Sequence, residues 1–140
     1  MNATAVRKVS FNSAHRLFNP AWDMETNDEV FGLCNNPNYH GHNYDLYVKV
    51  NGPINPETGY VMDLKKLKHL TEELITNRFD HANLNLDIAE FNQEKGGLNP
   101  TAENIARVCW QLLRQHLDAK LKLSIVLYET PRNYVEFDGE

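Results

Sequence analysis

One stretch of this sequence reads Cys34-Asn-Asn-Pro-Asn-Tyr-His-Gly-His-Asn-Tyr44 and places one thiol and two imidazoles within nine residues. His40 and His42 are two positions apart, so on an extended chain their side chains leave by the same face. That face continues with the apolar side chains of Tyr44, Leu46, Val48 and Val50. The alternation predicts a strand with one buried face that begins at the two histidines.

A third imidazole, His15, ends a second alternating row. Val9 and Phe11 precede it on the same face of a strand-like segment. If the two strands pair antiparallel, the end of the first lies beside the start of the second, which brings His15 next to His40 and His42. Three imidazoles without a fourth protein ligand leave one coordination position open, as in catalytic zinc sites. The alternative is that these histidines are ordinary polar residues at strand ends.

Length and composition are typical of a small globular protein. The chain has 140 residues, of which 41% are hydrophobic, and this predicts a single domain over 1–140. The net charge of -5 argues against a nucleic-acid partner held by a broad basic surface. Two cysteines fit a reducing compartment better than a disulfide framework. The N-terminus lacks a signal-peptide core and no segment is apolar enough to span a membrane, so we expect a cytoplasmic protein.

The apolar periodicity predicts strands and helices in the order β-β-α-α-β-β. The predicted elements are strands over 4–18 and 40–51, helices over 64–78 and 100–117, and strands over 121–129 and 133–137. An irregular loop is expected over 19–39. Asp63 is the predicted N-cap of the first helix, and Asn99 that of the second, with Pro100 at the first helical position. Without βαβ crossovers, this order predicts an α+β fold in which helices cover one face of an antiparallel sheet.

Other residues also carry reactive side chains. A zinc ion near Cys34 would lower the pKa of its thiol and give a base or nucleophile; a fourth zinc ligand and an inert thiol are the alternatives. Asp80 and His81 form a candidate acid–base pair, although adjacent Asp-His is also a frequent accident. Glu129 ends a buried row and needs a partner, either a guanidine-like ligand edge or a neighbouring Arg or Lys. Cys109 shares an apolar helix face, which predicts a core position.

Five motifs, in order over almost the whole chain, resemble those of the 6-pyruvoyl-tetrahydropterin synthases. They are Phe11-Asn-Ser-Ala-His-Arg16, Cys34-Asn-Asn-Pro-Asn-Tyr-His-Gly-His-Asn-Tyr44, Asp80-His-Ala-Asn-Leu84, Pro100-Thr-Ala-Glu-Asn104 and Tyr128-Glu-Thr130. The resemblance implies the tunnelling fold, a four-stranded antiparallel sheet with two helices on one side. It also implies that three sheets close a barrel and that two such trimers form a homohexamer with active sites between subunits.

The resemblance assigns a role to each candidate residue. It implies one zinc ion per subunit, held by His15, His40 and His42. Cys34 would be the proton-abstracting base, and Asp80 with His81 would complete the relay as acid. Glu129, helped by Thr101, would bind the 2-amino-4-oxo edge of a pterin. The implied substrate is 7,8-dihydroneopterin triphosphate, which loses triphosphate and becomes 6-pyruvoyl-tetrahydropterin without an external redox cofactor.

A related group, the 6-carboxy-tetrahydropterin synthases of queuosine biosynthesis, remains an alternative. Its members use the same ligands, base and substrate but also release acetaldehyde, and they typically have three residues between the Cys and His-Gly-His. This chain has five, Asn35–Tyr39, which favours the pyruvoyl type. Tyr39, however, stands where pyruvoyl-type enzymes usually have a small residue, and it would reshape the wall of the zinc pocket.

Two further relatives are less compatible with the residues. A folate-pathway variant carries Glu at the Cys position, so Cys34 argues against it. A non-catalytic zinc-binding relative would be expected to lose at least one reactive residue, whereas this chain keeps the full set. Arg16 and Arg132 are candidates for triphosphate binding by position alone.

Overall fold

The computed structural model describes all residues, 1–140, and is built on a five-stranded sheet in the order β3-β1-β2-β4-β5. The strands are β1 (Asn2–His15), β2 (His40–Pro53), β3 (Ala82–Asn83), β4 (Lys122–Tyr128) and β5 (Tyr134–Phe137). Four of them pair antiparallel, which confirms the predicted α+β arrangement, while β3 pairs parallel with the end of β1. The predicted four-stranded count was therefore one short, because a strand of two residues has no alternation to detect.

The two long strands, β1 and β2, pair over their full lengths, from Asn2 opposite Pro53 to His15 opposite His40. Side chains of facing residues share one face of the sheet, so the apolar row of each strand is buried on the same side. The first strand ends at His15 rather than at residue 18. It ends there because the backbone N–H and C=O of Arg16 bond to the side chain of Asn85 (2.8 and 2.9 Å) instead of continuing a ladder.

Four α-helices accompany the sheet. They are α1 (Met24–Phe31), α2 (Leu64–Thr71, continued by a π-helical turn Glu72–Thr76 and a last turn Asn77–Phe79), α3 (Leu84–Asp87) and α4 (Ala102–Arg114). The Asp63 carboxylate accepts from the Lys65 N–H (2.9 Å), which confirms the predicted N-cap of α2. The predicted N-cap of α4 was wrong. Thr101 caps that helix, while the side chain of Asn99 accepts from the Phe18 N–H (3.3 Å).

The long helices α2 and α4 pack against the same face of the sheet and close one hydrophobic core. Their buried residues include Leu67, Ile75, Phe79, Ile105, Val108 and Leu113, which meet the buried rows of β1, β2 and β4. Cys109 lies fully buried in this core, as the helix periodicity predicted. The three histidines therefore stand at the end of a well-packed apolar layer.

The segment expected to be irregular, 19–39, instead contains α1 and a 3₁₀ turn, Gly32–Asn35. The Asp23 carboxylate accepts from the Thr26 N–H (2.7 Å) and caps α1. Only Asn27 is buried in this helix, so no apolar stripe marked it in the sequence. The helix and turn together carry Cys34 to the end of the sheet.

The opposite face of the sheet carries no helix and is polar. Ser10 donates to Asp45 (2.6 Å) and Asn12 donates to Asn43 (2.7 Å) across β1 and β2. On its outer side β1 is paired only at its end, by β3, and β5 has no neighbour on its outer side. None of the helices combines the length and apolar character needed to cross a membrane.

Candidate metal centre and active site

Three imidazoles meet at the end of the sheet where β1 finishes and β2 begins. His15 lies opposite His40, and His42 lies opposite Ser13, so all three rings occupy the face that carries the helices. The ring centroid of His15 is 4.5 Å from that of His40 and 5.1 Å from that of His42. One nitrogen from each ring lies within 4.8 Å of the others. The strand register therefore brings together the three residues predicted as metal ligands.

His15 is fully buried and held in one orientation. Its Nδ1–H donates to the backbone oxygen of Pro100 (2.8 Å), which leaves Nε2 as the unprotonated ring nitrogen, 3.5 Å from the Tyr44 hydroxyl. Burial lowers the pKa of His15 to about 4, against the opposing effect of this hydrogen bond, and the neighbouring His40 and His42 lower it further. The imidazole is therefore neutral at pH 7, the form that binds a metal.

The other two histidines offer the same chemistry. Burial lowers the pKa of both His40 and His42. Nδ1 of His40 is buried without any hydrogen-bond partner, and such a group is stabilised when a ligand satisfies it. Three neutral imidazoles suit zinc and leave a position free for substrate, although other divalent ions also accept imidazole. The donor set therefore fits a catalytic zinc.

Glu129, the residue after β4, faces the histidines. Its carboxylate oxygens lie 3.8 Å from Nε2 of His42 and 4.0 Å from Nε2 of His15. No Lys or Arg pairs with it, so the expected alternative of an ion pair with a basic residue does not occur. Burial raises the pKa of Glu129; His40 opposes this shift and Glu103 adds to it. A half-buried carboxylate of this kind can accept N–H donors from a ligand.

A cavity of about 290 Å³ adjoins this carboxylate and is lined by Glu129, Thr101, Glu103 and Tyr134, among others. Thr101 lines the same cavity as Glu129, and its hydroxyl accepts from the Asn104 N–H (3.2 Å) as a helix cap. The sequence reasoning missed Glu103, because an acidic residue in a first helical turn usually serves the helix dipole. It also missed the carbonyl that orients His15, since a backbone group has no sequence signature.

Cys34 lies in the 3₁₀ turn and is partly buried. Its backbone oxygen accepts from the Leu17 N–H (2.8 Å). Burial raises the pKa of the thiol, and the negative charge of Glu129 raises it further. The protein's own groups therefore shift this pKa in the direction opposite to that expected for an activated thiol.

Asp80 and His81 form a hydrogen-bonded pair between α2 and β3. One Asp80 oxygen accepts from the Asn12 N–H (2.8 Å) and the other accepts from Nδ1 of His81 (2.9 Å), and these two contacts lower the pKa of Asp80. The side chain of His81 is 84% exposed. No hydrogen bond or ion pair connects this pair to the three histidines or to Glu129. The pair is thus formed as predicted but, within one chain, makes no contact with the metal centre.

The two candidates for triphosphate binding differ in their surroundings. Arg16 donates from Nε to Asn35, while its terminal guanidinium nitrogens donate to no protein group. Arg132 is exposed in the turn before β5, and its guanidinium makes no hydrogen bond. Arg132 is therefore free for an anionic ligand, whereas Arg16 already has a partner.

The sheet, its helix-covered face and the three-histidine end define the class of this protein: a tunnelling-fold enzyme with a candidate metal centre. A family model described as 6-pyruvoyl tetrahydropterin synthase matches residues 4–140. The chain belongs to this family, as its five motifs predicted.

Individual relatives agree with this assignment. The human 6-pyruvoyl tetrahydrobiopterin synthase is 41% identical over 138 residues, covering 99% of this chain and 92% of the human protein. The solved structure of Caenorhabditis elegans 6-pyruvoyl tetrahydropterin synthase superimposes with a TM-score of 0.91 at 35% identity, covering 100% of this chain and 97% of that one. The 6-carboxy-5,6,7,8-tetrahydropterin synthase of Haemophilus influenzae is 28% identical, covering 94% of this chain and 95% of its own length. The higher identity lies with the pyruvoyl type, which confirms that prediction.

Proposed function

We propose that this chain converts 7,8-dihydroneopterin triphosphate to 6-pyruvoyl-tetrahydropterin with elimination of triphosphate. The observation that carries the proposal is the cluster of three neutral histidines facing the Glu129 carboxylate, within a chain 41% identical to a 6-pyruvoyl tetrahydrobiopterin synthase. The five-residue spacing from Cys34 to His40 supports the pyruvoyl product over the carboxy product. We expect the enzyme to act in the cytoplasm, where its two free cysteines stay reduced.

The ligands for the proposed zinc ion are His15, His40 and His42. Zinc, when bound, polarises the hydroxyl groups of the substrate side chain and stabilises the negative charge that develops there. The buried Pro100–His15 hydrogen bond keeps one ligand oriented before substrate arrives (2.8 Å). A cation at this site would also oppose the burial that raises the pKa of Cys34.

Glu129 and Thr101 are the proposed pterin-binding residues. The carboxylate accepts from the 2-amino group and the adjacent ring N–H, two donors on one edge. This contact would replace the lost hydration of a carboxylate that burial has made harder to ionise. The Thr101 hydroxyl, which accepts from the Asn104 N–H, retains its own proton for the 4-oxo group (3.2 Å).

Cys34 and the Asp80–His81 pair move the protons. The Cys34 thiolate removes a proton from the substrate side chain, and His81, held by Asp80, returns one. Triphosphate leaves, and the side-chain diol becomes a diketone while the ring gains the two electrons and protons that the side chain loses. No external oxidant or reductant is needed for this balance.

A homohexamer, a dimer of barrel trimers, is the proposed assembly. The unpaired outer edges of β1 and β5 support further sheet pairing between copies. The exposed His81, which contacts no metal ligand of its own chain, supports an active site completed by a second subunit. Each site would then take its metal ligands and thiol from one copy and its Asp–His pair from the next.

Product analysis tests the reaction. The zinc-loaded protein is incubated with 7,8-dihydroneopterin triphosphate and the products are identified by mass spectrometry. We expect a 6-pyruvoyl product, triphosphate and no acetaldehyde. A 6-carboxy product with acetaldehyde would assign the chain to the carboxy type, and bound zinc without turnover would indicate a non-catalytic relative.

Subunit complementation tests the shared site. Cys34→Ala and His81→Ala variants are each expected to be nearly inactive, whereas a mixture refolded together should recover activity because some interfaces contain both native residues. Light scattering on the native protein should give the mass of six chains. Failure of the mixture to recover activity would show that each chain builds its site alone.

A further inference from the structure

The turn that carries Cys34 is held by a contact that the proposed chemistry does not explain. Arg16, the residue after the ligand His15, donates from Nε to the backbone oxygen of Asn35 (3.0 Å) and to its Oδ1 (3.1 Å). The Leu17 N–H donates to the backbone oxygen of Cys34 (2.8 Å). The two residues after a metal ligand thus bind the thiol residue and the residue that follows it.

We propose that Arg16 and Asn35 are positioning residues, which fix the Cys34 thiol relative to the metal centre by the Arg16–Asn35 contact. The inference rests on the proposed role of Cys34 as the base. Neither residue needs to touch the substrate, because both act on the backbone that follows the thiol residue.

Asn35 is well suited to this role. It is only 2% exposed. Its amide oxygen accepts from Arg16, and its amide nitrogen donates to the Asp28 carboxylate on α1 (2.8 Å). Because any rotation of this buried amide would leave polar atoms unpaired, Asn35 holds one orientation. It therefore links the end of β1, the Cys34 turn and α1 into one unit.

Arg16 is fixed on its other side. Its backbone N–H and C=O bond to the side chain of Asn85, which is 6% exposed (2.8 and 2.9 Å). Its guanidinium lies over the ring of Phe18, 4.5 Å from the ring centre. A planar guanidinium can stack and donate from Nε at the same time, and a lysine ammonium cannot reproduce that geometry. The contact therefore depends on arginine and not only on positive charge.

The rival role for Arg16 is to bind the triphosphate by charge. Arg16→Lys separates the two, because it keeps the charge but removes the Nε donor. Asn35→Ala carries no charge change and removes the Oδ1 acceptor of this contact together with the bond to Asp28, while the backbone oxygen of Asn35 remains. If Arg16 positions Cys34, the two variants should behave alike.

The first test measures the alkylation rate of Cys34 by iodoacetamide, followed by peptide mass spectrometry, on the full-length protein. Cys109 is fully buried and reports unfolding in the same sample. In Arg16→Lys and Asn35→Ala we expect the high-pH plateau rate of Cys34 to rise at least about threefold, because local opening frees the turn. The exposed residues Arg107 and Asn77 supply matched controls, Arg107→Lys and Asn77→Ala, which should keep the native rate.

The second test is steady-state kinetics with 7,8-dihydroneopterin triphosphate. A displacement of the base by about 1 Å can lower the rate up to about 100-fold, so we expect kcat to fall about 10- to 100-fold in both variants while KM stays within about twofold. A raised KM with a native alkylation rate in Arg16→Lys would assign Arg16 to the triphosphate and overturn the inference.

Native alkylation rates in both variants would also overturn it. If Cys109 becomes labelled in Asn35→Ala, that variant is unfolded and Arg16→Lys alone decides. Alkylation requires no substrate, so it tests the Arg16–Asn35 contact even if product analysis contradicts the proposed reaction.

Discussion

The metal centre and the Asp80–His81 pair carry the two halves of the proposed chemistry, yet the fold builds them in opposite ways. The candidate metal ligands lie in a strand ladder; His15 is fully buried and the His42 side chain is 20% exposed. The His81 side chain is 84% exposed and lies on a turn. Strand register fixes the distances between ligands, which a metal requires, whereas a proton donor at the surface stays accessible to a second copy, as the proposed shared site requires.

The largest expected effect concerns the candidate metal centre. In His42→Ala only two imidazoles remain, so we expect zinc affinity to fall by more than the about 10- to 100-fold that loss of an outer-shell contact causes. Turnover should fall below detection at micromolar zinc. Metal analysis by mass spectrometry and a turnover assay check this, with the exposed His69→Ala as control. Native zinc content in His42→Ala would contradict the three-histidine site.

Changes in the exposed Asp80–His81 pair should affect turnover but not zinc content. In His81→Ala we expect kcat to fall by about 10²- to 10⁴-fold, the range of general acid–base catalysis, with zinc content unchanged. The difference arises because no contact joins His81 to the metal ligands within one chain. Parallel metal analysis and kinetics measure both quantities. Loss of zinc together with activity would show that the two halves depend on each other.

Low pH should reduce the free energy of unfolding through the buried His15 of the candidate metal centre. The pKa of His15 is about 4 in the folded protein and 6.5 in the unfolded chain. Between these values the unfolded chain binds the extra proton, so after chelation the free energy of unfolding is highest above pH 6.5 and falls as pH drops towards 4. The change from this residue is up to about 3 kcal/mol.

Urea unfolding of the chelated protein at pH 7.5 and 4.5 measures this change. His15→Gln should have a smaller dependence over this interval, and the exposed His116→Gln should keep the native one. An equal dependence in His15→Gln and the native chain would mean that His15 is not buried in its neutral form.

The same contrast explains which parts were predictable from sequence. The alternation in β1 and β2 fixed the face and position of His15, His40 and His42, because a strand period translates directly into geometry. Helix α1 was not predicted, because it buries only Asn27 and so has no apolar stripe in the sequence. The partners of Cys34 were not predicted either. Its turn is held through Arg16, which contacts Asn35 across 19 positions and Asn85 across 69, and these separations follow no periodic pattern.

The Asp80–His81 pair was predicted as a pair, but its separation from the metal centre was not. Adjacent residues share a local turn regardless of the fold, whereas the position of this turn, beside Asn12 on the outer edge of β1, depends on the pairing of β3. That strand has two residues and is parallel to β1. Local motifs can therefore be predicted from sequence. Their placement relative to one another depends on short strand pairings, which cannot be predicted from sequence.

The smallest expected effect concerns backbone strain, which occurs next to the histidine cluster, at Tyr39, and in the Asp80–His81 pair. Tyr39, before β2, and His81 are the two non-glycine residues with positive φ, 67° and 60°. This conformation costs roughly 1–2 kcal/mol for a residue with a Cβ. Glycine removes that strain but makes the unfolded chain more flexible, at a cost of roughly 0.4–1 kcal/mol.

In Tyr39→Gly we therefore expect a net stabilisation between about 0 and 1.6 kcal/mol, seen as a rise in Tm of up to a few degrees with turnover retained. Gly96→Ala is the reverse control, because Gly96 has φ +82° and open space around its Cβ position, so its loss of stability measures the backbone effect alone. In His81→Gly the gain in stability should be smaller, because the hydrogen bond to Asp80 is lost, and it should come with loss of turnover. A lower Tm in Tyr39→Gly would show that contacts of the Tyr39 ring outweigh its backbone strain, which would make this position part of the metal-centre wall.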